Sequence, residues 1–149
     1  MDTTASKSRL RLWLRLLKAQ RAIENTLRDR LRSEFGSTLP RFDVMAALDR
    51  SRDGLRMSDL SSVLKVSNGN VTGIVERLVE DQLIERIPVP GDRRAMLVRL
   101  TPEGRKRFAV LAKAHESWVA ELLSPFEAKD AENLCASFEA LNKKLEENT

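Results

Sequence analysis

The chain of 149 residues contains no tyrosine, one cysteine and one histidine. Those scarcities exclude a good deal of chemistry. A single thiol, Cys135, cannot close an intramolecular disulfide. One thiol with one imidazole, His115, cannot supply the ligand sets of structural zinc or of iron and sulfur clusters. No metal and no cofactor is expected, and the low cysteine usage fits a cytoplasmic protein. Catalytic signatures are missing as well: no glycine-rich phosphate loop, HExxH or GxSxG occurs, and His115 and Cys135 stand far apart with no defined partner. An enzyme is not expected. Long apolar runs are also absent. The stretch MDTTASKSRLRLWLRLLKAQ is broken by a charge every few residues, so neither a signal core nor a bilayer span is expected.

What is present is a globular composition, 42% hydrophobic in 16.9 kDa, which suits one domain over residues 1–149. The net charge of +4 is modest but unevenly placed. Residues 1–34 hold nine basic and four acidic groups, residues 84–107 seven against three, and residues 120–149 three against seven. A field polarised in this way draws a polyanion to one face and repels it from another.

Helical periodicity dominates the pattern. From Ser8 to about Glu34 there is neither proline nor glycine, and Leu12, Leu16, Ile23, Leu27 and Leu31 recur at helical spacing, with Leu10, Trp13, Leu14 and Leu17 widening the stripe. Such a helix is roughly 40 Å long, more than a compact domain of this size covers, so part of it is expected to meet another subunit. Gly36 and Pro40 then bracket a break. RFDVMAALDR reads as a short helix turning Phe42, Met45, Ala46 and Leu48 inward, and SRDG as a turn. MSDLSSVLKV, the interruption SNGN and VTGIVERLVEDQL read as two helices with a tight junction, Ser67 capping the second. LIERIPV and AMLVRL read as the strands of a hairpin whose tip is Pro90, Gly91, Asp92, Arg93 and Arg94. Thr101, Pro102 and Glu103 mark a helix start, and two helices occupy the rest up to about residue 147, interrupted at Ser124 and Pro125. The second of these places Cys135 beside Leu134 and Phe138, where a buried thiol is expected.

Two short helices followed by an arginine-tipped hairpin are physically a winged helix-turn-helix. Its second helix enters the major groove of double-stranded DNA, and its wing reaches across the phosphates toward the minor groove. The short polar side chains Ser67, Asn68, Asn70 and Thr72 are candidate base readers, with Gly69 and Gly73 permitting close approach. Arg77 is placed for a phosphate. On the wing, Arg94 suits the negative potential of a narrow minor groove, Arg93 a phosphate, and Asp92 the orienting of an arginine.

The run MSDLSSVLKVSNGNVTGIVERLVEDQLIER followed by GDRRAMLVRLTPEGRKRF resembles the MarR family of bacterial winged-helix regulators. Asp92 and Arg94, then Leu100, Thr101 and Gly104, match the family's wing and the entry into its next helix. The resemblance covers residues 40–108. It implies a mainly α fold with a small β-hairpin wing, a DNA-binding lobe over residues 40–100, and long N- and C-terminal dimerisation helices over 8–35 and 102–147. It also implies a homodimer on a palindromic operator, usually acting as a repressor and released by a small, often aromatic, effector. The family includes regulators of aromatic-acid catabolism that respond to coenzyme A thioesters. Its peroxide sensors carry a cysteine near the start of the chain, which this sequence lacks. A MarR-like activator, or a winged helix that binds protein rather than DNA, are the alternatives.

For the effector, Trp13, Leu17, Phe42, Met45, Phe108, Leu111, His115 and Trp118 supply an aromatic and thioether lining suited to a planar organic molecule. Arg11, Arg15, Lys18 and Arg21 on the first helix suit a small aromatic acid's carboxylate or the phosphates of an acyl-CoA. The same apolar residues equally suit an ordinary core.

Overall fold

A computed structural model describes residues 2–64 and 68–148. In chain order the elements are α1 (Thr3–Phe35), α2 (Leu39–Arg50), β1 (Leu55–Arg56), α3 (Met57–Leu64), α4 (Asn68–Glu80), β2 (Ile84–Val89), β3 (Asp92–Leu100), α5 (Pro102–Leu122) and α6 (Ala128–Glu147). The class is mainly α with a small antiparallel β wing, as the pattern indicates. The chain divides into two compact units, residues 1–116 and 117–149.

Local chemistry sets the element ends. Asp2 caps α1 by accepting from the Thr4 amide at 3.0 Å, and Gly36 ends the helix in the left-handed region with φ 61°, its N–H returning to the Arg32 carbonyl. Thr38 then caps α2 by accepting from the Arg41 amide at 3.2 Å. The turn after α4 closes with Leu83 N–H on the Leu78 carbonyl and Gln82 N–H on that of Val79, Gln82 taking a positive φ of 62°.

The core of the first unit is drawn from seven of its elements, the last being α5 with Phe108 and Leu111. Leu31 comes from α1, Met45 and Leu48 from α2, Leu60 from α3, Val71, Val75 and Leu78 from α4, Ile84 from β2, and Val98 and Leu100 from β3. α2 is more enclosed than a single inward face requires: Val44 and Ala47 are buried with Phe42, Met45 and Leu48, while Ala46 is only half-buried. On α3 Leu60 is buried and Val63 exposed, so its apolar residues do not all turn inward.

Three differences from the sequence reading concern the wing and its helix. The hairpin is not two-stranded: Leu55 and Arg56, just beyond what reads as a polar turn, pair with Val98 and Leu97 and give a sheet of order β1-β3-β2. This third strand supplies support that a bare hairpin lacks. The turn is also tighter than five residues. Only Pro90 and Gly91 (φ 80°) lie outside the strands, the residue order of a type II turn, and Asp92 to Arg94 belong to β3. Finally, α4 begins at Asn68, so most of the polar run SNGN is helical rather than a turn. Ser67, expected as its cap, lies outside the described residues, as does the side chain of Asn68.

The start of α5 is locked to the end of α4. Thr101 Oγ1 accepts from the Gly104 amide at 2.9 Å and donates to the Gln82 carbonyl at 2.7 Å, while the Thr101 amide donates to the Leu83 carbonyl at 3.0 Å. A Cβ on Gly104 would collide with the Leu83 carbonyl, so glycine is required there for space. In the second unit α6 has no buried residue. Cys135, expected to be a buried thiol, is exposed, as are Leu134, Leu141 and Leu145. The apolar period is real, but among the described residues of that face only Phe138 is half-buried.

Candidate nucleic-acid interface

The buried stripe of α4 is Val71, Val75 and Leu78, which turns Asn70, Thr72, Gly73 and Arg77 to the surface. These four do not form one row. At 100° per residue Thr72 lies about 200° around the helix from Asn70, so the two belong to opposite walls of the exposed face. Asn70, Gly73 and Arg77 share a wall. Among the described residues nothing lies within 4 Å of where a Gly73 Cβ would stand, so the glycine leaves a low floor between Asn70 and Arg77.

That wall borders an open cleft of about 580 Å³, closed on its other sides by Arg28 and Arg32 of α1 and by the start of α2 with Thr38 and Arg41. No sequence motif singles out Arg28, Arg32 or Arg41. They are scattered over two helices, and only the packing of α1 and α2 beside α4 brings them to one place. Arg41 also pairs with Asp81 at 2.8 Å, tying the start of α2 to the end of α4.

On the wing, the Val89↔Asp92 and Pro88↔Met96 pairs enclose a slip in register, and Arg93 and Arg94 fall inside it, both exposed. Asp92 Oδ1 accepts from the Arg94 amide at 3.0 Å, so its carboxylate fixes the backbone that carries Arg94. Further down, Glu85 and Arg99 are cross-strand partners joined by a 2.6 Å ion pair. That pair removes Arg99 from the tip's positive field, while Arg86 stays exposed.

Of the residues expected to meet an effector, the structure brings together those of α2 and the first part of α5. Phe42 stacks on His115 at 4.4 Å between centroids and meets Phe108 at 5.5 Å. Met45 and Leu111 line a neighbouring cavity of about 350 Å³ with Arg41, Arg107, Asp81 and Glu103. Burial holds the His115 imidazole below its usual range, with Asp43 pulling it back up. Asp43 is itself raised, by burial first, then lowered by His115, raised by Glu24 and lowered by Arg50. Trp13, Arg11, Arg15, Lys18 and Arg21 are on the first two thirds of α1, outside that cavity, and Leu17 is half-buried. Trp118 is buried and belongs to the second unit.

Comparison with known proteins agrees with this architecture. Residues 35–95 match the MarR family. The "Transcriptional activatory protein BadR" of Rhodopseudomonas palustris is 32% identical over 123 residues, 80% of this chain and 70% of that protein. Among solved structures, a MarR family transcriptional regulator from Silicibacter pomeroyi is 32% identical with a TM-score of 0.77, covering 97% of this chain and 99% of its own. A MarR mutant from E. coli complexed with operator DNA is 25% identical with a TM-score of 0.74, covering 93% and 95%. With the winged helix-turn-helix in place and these structures spanning nearly its whole length, the chain belongs to the MarR family of transcriptional regulators.

Proposed function

We infer that the chain works as a homodimer that binds a palindromic operator through α4 and the wing, most simply as a repressor, and that a small aromatic acid or its coenzyme A thioester releases it. The observation that carries the DNA reading is the exposed wall of Asn70, Gly73 and Arg77 flanked by cationic groups and followed by Arg93 and Arg94 at the wing tip. Asn70 and Thr72 are the base readers, with Asn68 beside them in the sequence. Arg77 and Arg93 take phosphates, Arg94 enters the minor groove, and Asp92 orients Arg94 through its backbone.

Dimerisation rests on apolar side chains that the single chain leaves exposed, Leu10, Trp13 and Leu14 on α1 and Leu134, Leu141 and Leu145 on α6. The effector reading rests on the cluster of the Phe42, Phe108 and His115 rings. Two reading helices must stand about one DNA turn, roughly 34 Å, apart, and a ligand that binds a different spacing more tightly shifts the population away from DNA. A second reading, activation, is favoured by one observation: the BadR relative is named as an activatory protein.

The test is selection of duplexes from a random DNA library on the purified protein, followed by affinity against salt on the enriched sequence. An inverted repeat with steep salt dependence is expected, whereas no enrichment by folded protein would transfer the reading to a protein-binding winged helix. Calorimetric titration with hydroxycinnamoyl-CoA thioesters and their free acids tests the effector, and absence of heat at high protein concentration would remove that class.

A further inference from the structure

The cleft beside α4 goes beyond the reading helix and the wing, because half of its arginines come from α1. Arg28 and Arg32 stand one turn apart on the last part of that helix, and they line the same space as Arg41 and Arg77. Among the described residues that line it there is no carboxylate. Arg41 is partly neutralised by Asp81, which lies outside the cleft, and Arg28 spends one donor on Asn25 at 2.9 Å. A guanidinium has five donors, so most of this hydrogen-bonding capacity faces solvent.

Folding alone does not account for this convergence. A cation in the last turn of α1 is favoured by the helix dipole, which explains Arg32. It does not explain Arg28, one turn earlier, nor the meeting of both with Arg77 from α4. Like charges gathered around one opening repel, and the arrangement becomes favourable when an anion enters. Gly73 points the same way. Its helix-weakening effect has no packing reason among the described residues, since none would meet a side chain there, yet the missing side chain keeps the floor of the cleft open.

We propose that this cleft seats a sugar-phosphate strand of the bound DNA, with Arg28 and Arg32 of α1 as phosphate contacts. The proposal rests on the DNA-binding reading above. The cleft shares Asn70, Gly73 and Arg77 with the exposed wall of α4, so a duplex lying on that wall carries its backbone across the opening. The helix with exposed Leu10, Trp13 and Leu14 at one end then holds DNA phosphates at the other. A shift of α1 would disturb both phosphate contacts together.

The experiment measures affinity against salt concentration on the selected duplex and on a random one, for the wild-type chain and for Arg28→Gln, Arg32→Gln and the double variant. Removing one arginine from its phosphate should lower the slope of log affinity against log salt by about 1 per chain, about 2 for a bound dimer, and the double variant should lower it by about 2 per chain, about 4 for a dimer. The change should be equal on both duplexes, and Arg28→Lys with Arg32→Lys should restore the slope. A double variant with the wild-type slope overturns the proposal, as does a lowered melting temperature with the slope unchanged. Failure of the wild-type chain to bind any duplex would instead overturn the DNA-binding reading itself.

Discussion

The winged lobe and the two ends of the chain use the same apolar residues to opposite effect. In the lobe, Leu60 and Leu78 are fully enclosed at 0% exposure. On α1 Leu10 stays 56% exposed, and on α6 Leu145 stays 54% exposed. α3 and α4 in the lobe and α1 and α6 at the ends all show helical periodicity, so period reports that a helix has an apolar face and not what covers it. The lobe supplies its own cover from its helices and the sheet, and can hold a fixed array of polar and cationic groups at its surface. The ends present uncovered faces, which is the state expected of elements completed by a second copy.

The contrast is sharpest in stability. Leu60→Ala should cost about 2–5 kcal/mol through lost burial and a cavity, at any protein concentration. Leu141→Ala, by contrast, should chiefly weaken the concentration dependence of the melting temperature; thermal melts over a hundredfold concentration range separate the two. Function should divide differently. Arg94→Ala and Asn70→Ala should leave the melt unchanged. The first should weaken binding to all duplexes and flatten the salt dependence, and the second should cost roughly 1–3 kcal/mol of discrimination between operator and random DNA. Equal weakening on both duplexes would make Asn70 a positioning residue. Gly73→Ala should raise helix stability by up to about 1 kcal/mol and yet bind DNA more weakly, an opposition that calorimetry and fluorescence anisotropy together can reveal. The smallest effect concerns His115. Its folded value is depressed, so the unfolded chain takes up a proton below the ordinary 6.5 before the folded chain does, and stability falls as pH drops through that window. Asp43, raised in the fold, works in the opposite sense at more acidic pH. In His115→Gln the decline just below pH 6.5 should be reduced.

Much of the lobe is legible in the sequence because its signals are local. Thr101 as a cap, the apolar groups around Ile84 and the spacing of Val71, Val75 and Leu78 each follow from a few nearby residues. β1 is not legible in this way, since two residues carry no period and become a strand only when Val98 and Leu97 pair with them. SNGN reads as a turn by composition, but Asn and Gly are tolerated at the start of a helix, and α4 begins at Asn68. Cys135 departs from its expected burial because of a non-local cause: its neighbours Leu134 and Phe138 define a stripe, but Leu134 is exposed and Phe138 only half-buried, so the period alone does not enclose the thiol. Arg28, Arg32 and Arg41 lack any shared motif, and their convergence on α4 is a property of helix packing.

The most direct test of this division of labour is the mass of the complex. Sedimentation equilibrium of the chain, alone and with the selected inverted-repeat duplex, should give two chains in each case, with one duplex bound in the second. A single chain per duplex, or a monomer that never associates, would contradict the account.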